Sequence, residues 1–506
     1  MRDQLGKETP NKYRGLGAAN IRLLQAVFRL KLNEVVSIKM FYMNALPPVH
    51  VVRDCASVQY AKCQGSSLMP RILIMNAGTA QMSGADLTAL QLSLAAKSAW
   101  RSVWFAQPGD VIVSPVPIPT DLLQYVGATL RFDPSTVLVL VPENAHEIGV
   151  LSDFTLQSNT IVEQIRRHIC DKTHWKLYAC YATEGVARLA AMLGIVQNGD
   201  EFALQRGPDL LNRKSHFRQL ATSTMLPLPS GCIATTSEEL FRAVNSLRLE
   251  TGSVIVKLDN GAGGVGNVIL TGKESAPLPG ARETRRVLWP SFDPDQLWSE
   301  LTTASCKIVV VESYHVARSL FYLEFEIEEN GSIAYVNSGN IRLRRSEDPS
   351  ERALVWTGLE LPSDLSNEQY STAYEHAYRF VELARTLGYR GMINIDAVFS
   401  IDGSLLFNEA NGRWGGGSVL HSIADRTLGS DYSHSHVISS VRNVRLNSLR
   451  EAIDCFVDEG LLFDSIQKEG VIPLAADQDA GTVECLVIAR DRLVGRNFEH
   501  RLLRIV

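Results

Sequence analysis

The sequence has no apolar run approaching the ~20 residues that a membrane-spanning helix needs. It also has no internal repeat, no low-complexity segment and no dominant charge, with a formal net charge of −5 and an isoelectric point of about 6.2. A weakly acidic chain is a poor partner for nucleic acid or for an anionic membrane surface. We therefore expect neither as a main partner.

The eight cysteines are scattered along the chain, without a Cys-x-x-Cys pair and without a zinc-binding spacing. Such cysteines are typical of reduced thiols in a cytosolic protein. The first residues lack the apolar segment of a secretory signal. Together these absences lead us to expect a cytoplasmic protein.

The chain is long enough for several domains, because its 506 residues have the composition of a globular protein, 45% hydrophobic and 21% charged. Residues 1–68 are the least informative part: residues 21–41 have a partly helical periodicity, residues 45–65 have no clear period, and we assign the segment no function. From Arg71 onward, short apolar strands alternate with helical stretches, which predicts an α/β layer with an open parallel sheet. The loop 76–79 follows the first such strand, at the sheet edge where ligands usually bind, although a plain connection fits it at least as well.

The most informative stretch is residues 392–411, where two strand-like runs flank Asp402-Gly403. This dipeptide favours a two-residue type I′ turn. Counting back from such a turn puts Asp396 directly across the hairpin from Glu409. The sequence thus predicts two opposed carboxylates, an arrangement that destabilises a bare strand pair.

Alternation along the two strands predicts one polar face and one core face. The polar face has Asn394, Asp396, Glu409 and Asn411, and the core face has Leu406, Asn408 and Ala410 with the apolar residues of the first strand. Two carboxylates and an amide suit Mg²⁺, which binds few carboxylates and completes its octahedron with phosphate and water. A polar, solvated hairpin face is the alternative.

A second informative stretch, residues 254–270, has a strand with Lys257, a loop rich in glycine and then another strand. The loop glycines are Gly261, Gly263, Gly264 and Gly266. Glycine lets a loop lie flat on phosphate oxygens and offer them its N–H groups. The loop has no Gly-Lys-Ser/Thr and no helix after it, so neither a Walker A loop nor a dinucleotide fingerprint fits. The pattern predicts a flexible lid over phosphates, with an unliganded hairpin as the alternative.

Other charged residues stand near the ends of predicted elements. Lys214 lies in the first turns of a predicted helix, where an ordinary solvated lysine is the alternative. Glu312 ends an apolar strand, and Arg342 and Arg344 share one face of an extended run. Arg413 follows the hairpin in a glycine-rich turn that is able to approach a ligand closely.

This order of residues resembles the ATP-grasp superfamily: a helix lysine, a strand lysine, a glycine lid, a strand ending in glutamate, an arginine strand, and a hairpin with paired carboxylates and a trailing amide. The chain more closely resembles the pheganomycin-type peptide ligases, in which a pre-ATP-grasp domain precedes the ATP-grasp fold and a small C-terminal domain follows it. Serine is expected in that subgroup where this chain has Arg213. The matching segments are 84–90, 104–110, 211–214 with 217–218, 263–267 and 408–413.

The resemblance covers about residues 70–506 and implies an α/β fold with an α+β lid. It divides the chain into five parts. These are an N-terminal extension of unknown role (1–68), a pre-ATP-grasp α/β domain (69–206), an ATP-grasp lid subdomain (207–311), a C-terminal ATP-grasp subdomain with the metal site (312–430) and a small C-terminal domain (431–506).

The resemblance also implies how the nucleotide and its metal ions are bound. Lys214 and Lys257 would contact the ATP phosphates beneath the glycine loop, which would close over them. Glu312 would face the adenine amino group, with Tyr314 beside it. Two Mg²⁺ ions, for which Mn²⁺ can substitute, would be held by Asp396, Glu409 and Asn411.

The implied enzyme is an ATP-dependent carboxylate–amine ligase that forms a peptide bond through an acyl phosphate, in a biosynthetic pathway. Arg342 or Arg344 would meet the γ-phosphate, and Arg413 would face the acyl oxyanion or the donor carboxylate unless it is structural. The substrates would be a small-molecule or peptide carboxylate donor and an amine or peptide acceptor, and a homodimer is left open. Two alternatives remain: a ligase that joins two small amino acids, and a non-catalytic regulatory protein that binds ATP.

Overall fold

The computed structural model describes residues 69–83, 88–143, 149–169, 174–261, 266–273, 277–289, 291–345 and 354–505. The chain divides into two units, Met1–Ser66 and Ser67–Val506, and the described residues lie in the second. The predicted N-terminal extension, the motif residues 84–87, and Gly263 and Gly264 of the predicted lid lie outside the described residues. Within the described ranges, no helix combines the length and the apolarity needed to cross a bilayer.

The first part of the second unit is a four-stranded parallel sheet in the order β3-β2-β1-β4. Its strands are β1 (Arg71–Ile74), β2 (Val111–Val113), β3 (Leu138–Leu140) and β4 (Lys176–Ala179). Its helices are α1 (Ala80–Ser83), α2 (Ala89–Ser102), α3 (Thr120–Leu130), α4 (Asp153–Leu156), α5 (Asn159–His168), α6 (Glu184–Leu193) and α7 (Asp200–Leu204). Ile72 and Ile74 pack against α5 and α6, whereas Leu73 and Ile112 pack on the other face with α2 and α3. The predicted open α/β layer is confirmed.

A five-stranded sheet follows, in the order β5-β9-β6-β7-β8. Its elements are α8 (Pro208–Asn212), α9 (Lys214–Ser223), β5 (Gly231–Ala234), α10 (Ser237–Thr251), β6 (Ser253–Leu258), β7 (Asn267–Thr271), β8 (Glu283–Arg286), α11 (Pro294–Leu301) and β9 (Val309–Ser313). The predicted lid loop joins β6 to β7, which are antiparallel. Gly266 ends this loop with a left-handed φ of 76°, and a Cβ there would lie 2.8 Å from Leu258 Cβ. Glycine is therefore required at position 266 by the backbone itself.

The remaining strands form one eight-stranded sheet in the order β14-β13-β10-β11-β12-β15-β17-β16. They are β10 (Ala317–Ile327), β11 (Ile333–Arg345), β12 (Leu354–Leu361), β13 (Gly391–Ser400), β14 (Leu405–Asn411), β15 (Val437–Arg445), β16 (Gly470–Asp477) and β17 (Thr482–Ala489). The helices are α12 (Asn367–Leu387), α13 (Gly416–Leu428), α14 (Leu449–Asp458) and α15 (Arg492–Leu502). Glu360 pairs with Ser439 between β12 and β15. The last three strands thus continue the large sheet instead of forming a separate one.

Two helices cover opposite faces of the large sheet. Helix α12 packs Phe380 and Val381 against the core side of β10, β13 and β14. Helix α13 packs Leu420 on the other side, in one cluster with Trp104 from the parallel-sheet part. The indole N–H of Trp104 donates to Leu474 O at 2.9 Å. The parallel sheet is therefore anchored to the large sheet beside the segment that follows β14.

Candidate active site

The hairpin of β13 and β14 places Asp396 opposite Glu409, as predicted. Its turn differs from the prediction, because Gly403 N–H donates to Ser400 O at 3.0 Å and Gly403 has a left-handed φ of 88°. This is a three-residue loop with a type I turn followed by a left-handed glycine. The Asp402 carboxylate stabilises it by accepting a hydrogen bond from the Ser400 hydroxyl. The predicted two-residue type I′ turn is wrong.

A β-bulge in β14 restores the predicted register at the two acids. The pairing shifts by one residue next to Asp396, which leaves Asn408 without a partner on β13. Leu406 and Asn408 were predicted to face away from the acids, but both line the same cavity as Asp396 and Glu409. That prediction is wrong because a bulge re-aims the side chains beside it.

These side chains line a cavity of about 490 Å³, which we call the central cavity. It lies where the five-stranded sheet, the hairpin and the N-terminus of α13 meet. The structure brings together in its lining many of the predicted residues: Lys257, Glu312, Tyr314, Asp396, Glu409, Asn411 and Arg413. It adds Arg101, Arg282 and Tyr322, which sequence reasoning missed because they come from three distant segments without a recognisable pattern.

The two opposed carboxyls have different proton affinities. Burial and the charge of Glu409 hold the pKa of Asp396 well above its ordinary value of 3.8. Burial also acts to raise the pKa of Glu409, but Lys214, Lys257 and Arg413 outweigh it, and the net shift is downward. A proton bound by the pair is therefore held on the Asp396 side. A negative charge on Asp396 as well as on Glu409 requires a cation nearby.

Lys214 is buried, with 5% of its side chain exposed, so the solvated alternative is excluded. It is the first residue of α9, and its backbone N–H donates to Asp259 O at 3.2 Å. Its Nζ donates to Gly261 O at 2.6 Å and lies 3.7 Å from Glu409 Oε2. Burial lowers the pKa of Lys214, although Glu409 opposes this shift. Lys214 thus connects the predicted lid loop to the acid pair.

Lys257 and Glu312 bind each other in the five-stranded sheet, where both are buried. Lys257 Nζ lies 2.6 Å from Glu312 Oε2, and Arg218 of α9 lies 2.8 Å from Oε1 of the same carboxylate. Arg218 also donates to Pro229 O at 2.8 Å. Sequence reasoning gave Arg218 no role, although it follows Lys214 by four residues, one helical turn.

Tyr314 lies directly after β9, where the chain passes from the five-stranded sheet to the large sheet. Its ring packs with Ile255, Ile269 and Ala281, and its hydroxyl donates to Pro279 O at 2.8 Å. Tyr314, Ile255 and Ala281 also line the central cavity. The cavity therefore has an apolar wall at the end that holds Glu312.

Residues 99–195 match the family model described as the Pre ATP-grasp domain. The N5-carboxyaminoimidazole ribonucleotide synthetase of Thermus thermophilus is similar in structure, with a TM-score of 0.51 at 12% identity over 87% of this chain and 99% of that one. Biotin carboxylase from Campylobacter jejuni, in its β,γ-ATP complex, has a TM-score of 0.52 at 12% identity over 84% and 88% of the two chains. The chain has the ATP-grasp fold.

A third similar structure is the biotin carboxylase domain of the Hydrogenobacter thermophilus 2-oxoglutarate carboxylase, in complex with MgADP, ADP and bicarbonate. It has a TM-score of 0.51 at 14% identity, over 86% of this chain and 89% of that one. No curated protein matches the chain in sequence. At these identities the likeness establishes the ATP-grasp fold and leaves the reaction to be argued from the site. The closer resemblance to pheganomycin-type ligases stays a prediction.

The acid pair and Asn411 fit Mg²⁺ in an ATP-grasp site. The described ranges contain no group of three or more His, Cys, Asp and Glu side chains that could enclose a metal. Two carboxylates and an amide leave most of the octahedron to phosphate and water, which is how Mg²⁺ is usually bound. Asn411 Oδ1 accepts from Arg413 at 2.7 Å, and an amide oxygen has a second acceptor position left.

Arg342 and Arg344 are absent from the lining of the central cavity, although the residues beside them, Ile341 and Leu343, belong to it. Alternation along β11 therefore turns the two arginines to the other face. Arg342 forms two hydrogen bonds of 2.5 Å with the Glu499 carboxylate of α15, and Arg344 is exposed. The expectation that either arginine meets a γ-phosphate is thus corrected. The pattern was misread because both faces of β11 are partly polar.

Proposed function

We propose that this chain is an ATP-dependent carboxylate–amine ligase that forms a peptide bond through an acyl phosphate. The observation that carries the proposal is the pairing of Asp396 with Glu409, beside Asn411 and in one cavity with Lys257 and Glu312. Opposed carboxylates are a cost to the hairpin unless a cation binds between them. The ATP-grasp fold supports ATP as the phosphoryl donor, with Mg²⁺ or Mn²⁺ at the acid pair.

The two ends of the central cavity suit different parts of the nucleotide. Its base would lie against the apolar wall of Tyr314 and Ile255, with its amino group directed at Glu312. A carboxylate accepts a hydrogen bond and cannot donate one, which favours adenine over guanine at this position. Lys214 stands between Gly261 O and Glu409, where the triphosphate would run. Lys257 would reach the phosphates by exchanging its bond to Glu312.

The first step makes an acyl phosphate. A donor carboxylate oxygen attacks the γ-phosphorus, and the bond between that phosphorus and ADP breaks. Charge repulsion opposes the attack of one anion on another, and Lys214, Lys257 and Arg413 place positive charge around the reacting groups. When bound, Mg²⁺ would neutralise further negative charge on the phosphates.

The second step makes the amide. The amine nitrogen attacks the acyl carbon, the carbon–oxygen bond to phosphate breaks, phosphate leaves, and the nitrogen loses a proton to phosphate or water. Negative charge develops on the acyl oxygen during this attack. Arg413, positioned by its bond to Asn411, lies in the same cavity as Gly416 at the start of α13. A guanidinium and a helix N-terminus both stabilise such a charge.

The direct test is incubation with ATP, Mg²⁺ and mixtures of carboxylates and amines, with bicarbonate included as one acid. We expect ADP and phosphate release that depends on both an acid and an amine. We also expect a heavy oxygen isotope to pass from labelled donor carboxylate into phosphate. ADP release that occurs only when bicarbonate is the acid would indicate a carboxylase. ATP binding without turnover would indicate a regulatory protein. Either result contradicts the proposal.

A further inference from the structure

A second cavity of about 430 Å³ lies between the parallel-sheet part and the large sheet, and we call it the lateral cavity. One wall is strand β4 with residues 197–203. The opposite wall is formed by residues 326–330 and 389–392. Arg413 lines both the lateral cavity and the central cavity. The two cavities therefore meet at the residue that the proposed mechanism places at the acyl group.

Strand β4 presents to the lateral cavity an edge that has no partner strand, although a bound peptide would have to displace the Gln197 side chain from Leu177 N–H. It is the last strand in the order β3-β2-β1-β4, and among the described residues no strand pairs with its outer side. Cys180 N–H donates inward to Ile74 O at 2.9 Å, whereas Leu177 N–H donates outward to the Gln197 side chain. Because backbone N–H and C=O groups point to alternate sides along a strand, those of Leu177 and Ala179 face the lateral cavity, which both residues line. An open strand edge is a ready binding site for an extended peptide.

The lateral cavity is acidic at one end. Its acidic lining residues are Asp200, Glu326, Glu328 and Glu329, against the basic residues Lys176, Arg390 and Arg413. Arg390 donates to the backbone oxygens of Arg385 and Tyr389. Glu329 accepts from Asn198 N–H at 2.9 Å, and Glu328 accepts from the Ser332 hydroxyl at 2.7 Å.

Glu326 differs from its acidic neighbours, because its carboxylate has no hydrogen-bond or ion-pair partner among the described residues. Burial raises the pKa of Glu326, while the charge of Lys176 acts to lower it. Burial and Glu329 likewise raise the pKa of Asp200 to about 6. A cation bound beside Glu326 and Asp200 would stabilise the charged form of both carboxyls.

The two charged ends of the cavity are separated along β4. Lys176, whose charge acts on Glu326, begins the strand. Cys180, on whose pKa the charge of Arg413 acts, directly follows its end. Four strand residues span about 13 Å at about 3.3 Å each. A bound peptide with its amino group at Arg413 would thus bring a long side chain of its third or fourth residue to the acidic end.

We propose that the lateral cavity is the acceptor site of the ligase, an inference that rests on the proposed function. Its occupant is an extended peptide with a basic side chain at its third or fourth residue. The peptide pairs with the outer edge of β4 in the antiparallel direction, and its amino terminus enters the central cavity beside Arg413. The basic side chain meets Glu326 and its acidic neighbours. A free amino acid or a dipeptide is disfavoured, because it is too short to reach the acidic end from Arg413.

The test uses three tetrapeptide acceptors with an amidated C-terminus, which differ only in whether the third and fourth residues are lysine, glutamine or glutamate. Their KM values are measured with the wild type, with Glu326→Gln and with the matched control Glu368→Gln, an exposed residue of α12. Hydroxylamine traps acyl phosphates without a peptide site, so each peptide rate is divided by the hydroxylamine rate of the same variant. This ratio removes any general loss of folded enzyme.

We expect the wild type to prefer the lysine peptide. Glu326→Gln should raise the KM for that peptide on the order of tenfold, leave the glutamine peptide unchanged and lessen the penalty on the glutamate peptide. N-methylation of the acceptor backbone should raise KM at alternate residues, as strand pairing requires. Equal KM values for all three peptides with the wild type and both variants would overturn the acceptor site while leaving the ligase intact. If no acid and amine mixture, hydroxylamine included, releases ADP from the wild type, the proposed function itself fails, and the acceptor site fails with it.

Discussion

Lys257 Nζ lies 2.6 Å from Glu312 Oε2, so two side chains expected at opposite ends of a nucleotide bind each other. Arg218 holds the second oxygen of the same carboxylate at 2.8 Å. The network keeps Glu312 at the end of β9 with its acceptor oxygens beside the apolar wall of the central cavity. Nucleotide binding is therefore expected to exchange partners within an existing network.

Glu312→Gln should weaken ATP binding on the order of tenfold, because the amide is a weaker acceptor for the adenine amino group. It should also narrow the preference for ATP over GTP, since an amide can turn its NH₂ group toward the guanine oxygen. Titration calorimetry with both nucleotides and Mg²⁺ measures the two effects. The control is Glu238→Gln, an exposed residue of α10. An unchanged preference for ATP would exclude Glu312 from base recognition.

Arg342→Met should lower stability without changing the KM for ATP. The Arg342–Glu499 pair joins β11 to α15, and Glu499 is buried, so removing Arg342 should cost roughly 2–4 kcal/mol of unfolding free energy. The comparison is Arg379→Met, which removes an exposed pair with Glu375 within α12 and should cost less than about 1 kcal/mol. Denaturant unfolding and ATP saturation curves measure the two quantities. A large rise in KM with unchanged stability would restore Arg342 to the nucleotide site.

The raised pKa of Asp396 makes the metal-free protein sensitive to pH. Folding favours the protonated carboxyl, so its stabilising contribution is complete below its ordinary value of 3.8 and is lost as the pH rises through the folded pKa. In Asp396→Asn the side chain does not titrate, so the variant lacks this loss of stability with rising pH. The melting temperature of the variant, relative to wild type, should therefore increase as the pH is raised without Mg²⁺. A difference that stays constant with pH would contradict this assignment.

Gly417 and Gly416 at the start of α13 provide a matched pair. A Cβ on Gly417 would lie 2.3 Å from the Tyr322 hydroxyl oxygen, whereas a Cβ on Gly416 would meet Leu359 Cδ1 at an ordinary 3.4 Å. Alanine normally stabilises a helix relative to glycine by about 0.5–1 kcal/mol. We expect Gly416→Ala to keep the melting temperature of the wild type and Gly417→Ala to lower it, as measured by thermal unfolding. Equal behaviour of the two variants would show that the close packing of α13 on β10 is not required.

The sequence predicted the opposed acids for a partly mistaken reason. The Asp402-Gly403 signal located the turn, but the loop is one residue longer than predicted, and the bulge at Asn408 offsets that error before Asp396 is reached. The alternation of polar and apolar residues along a strand does not reveal where a bulge occurs. The positions of Leu406 and Asn408 were therefore predicted on the wrong face.

The misplaced arginines have a different cause. Arg342 is bound by Glu499, 157 residues later in the chain, and a contact at that separation leaves no local signal in the sequence. The pairing of β12 with β15 was unpredictable for the same reason. Lys214 and Asp396 were located because each lies at a local signal, a helix start and a hairpin.

The most direct test of the ligase assignment is ADP release by Glu409→Gln with ATP, Mg²⁺, an acid and an amine. The variant keeps the shape of the side chain and removes the charge that faces both Asp396 and Lys214. The assignment predicts that turnover falls at least about a hundredfold. The melting temperature should change little, because relief of the repulsion with Asp396 offsets the lost contact with Lys214, and Glu368→Gln should behave as wild type. Near-normal turnover in Glu409→Gln, or its outright unfolding without ligand, would contradict the assignment of this hairpin as the metal and phosphate site.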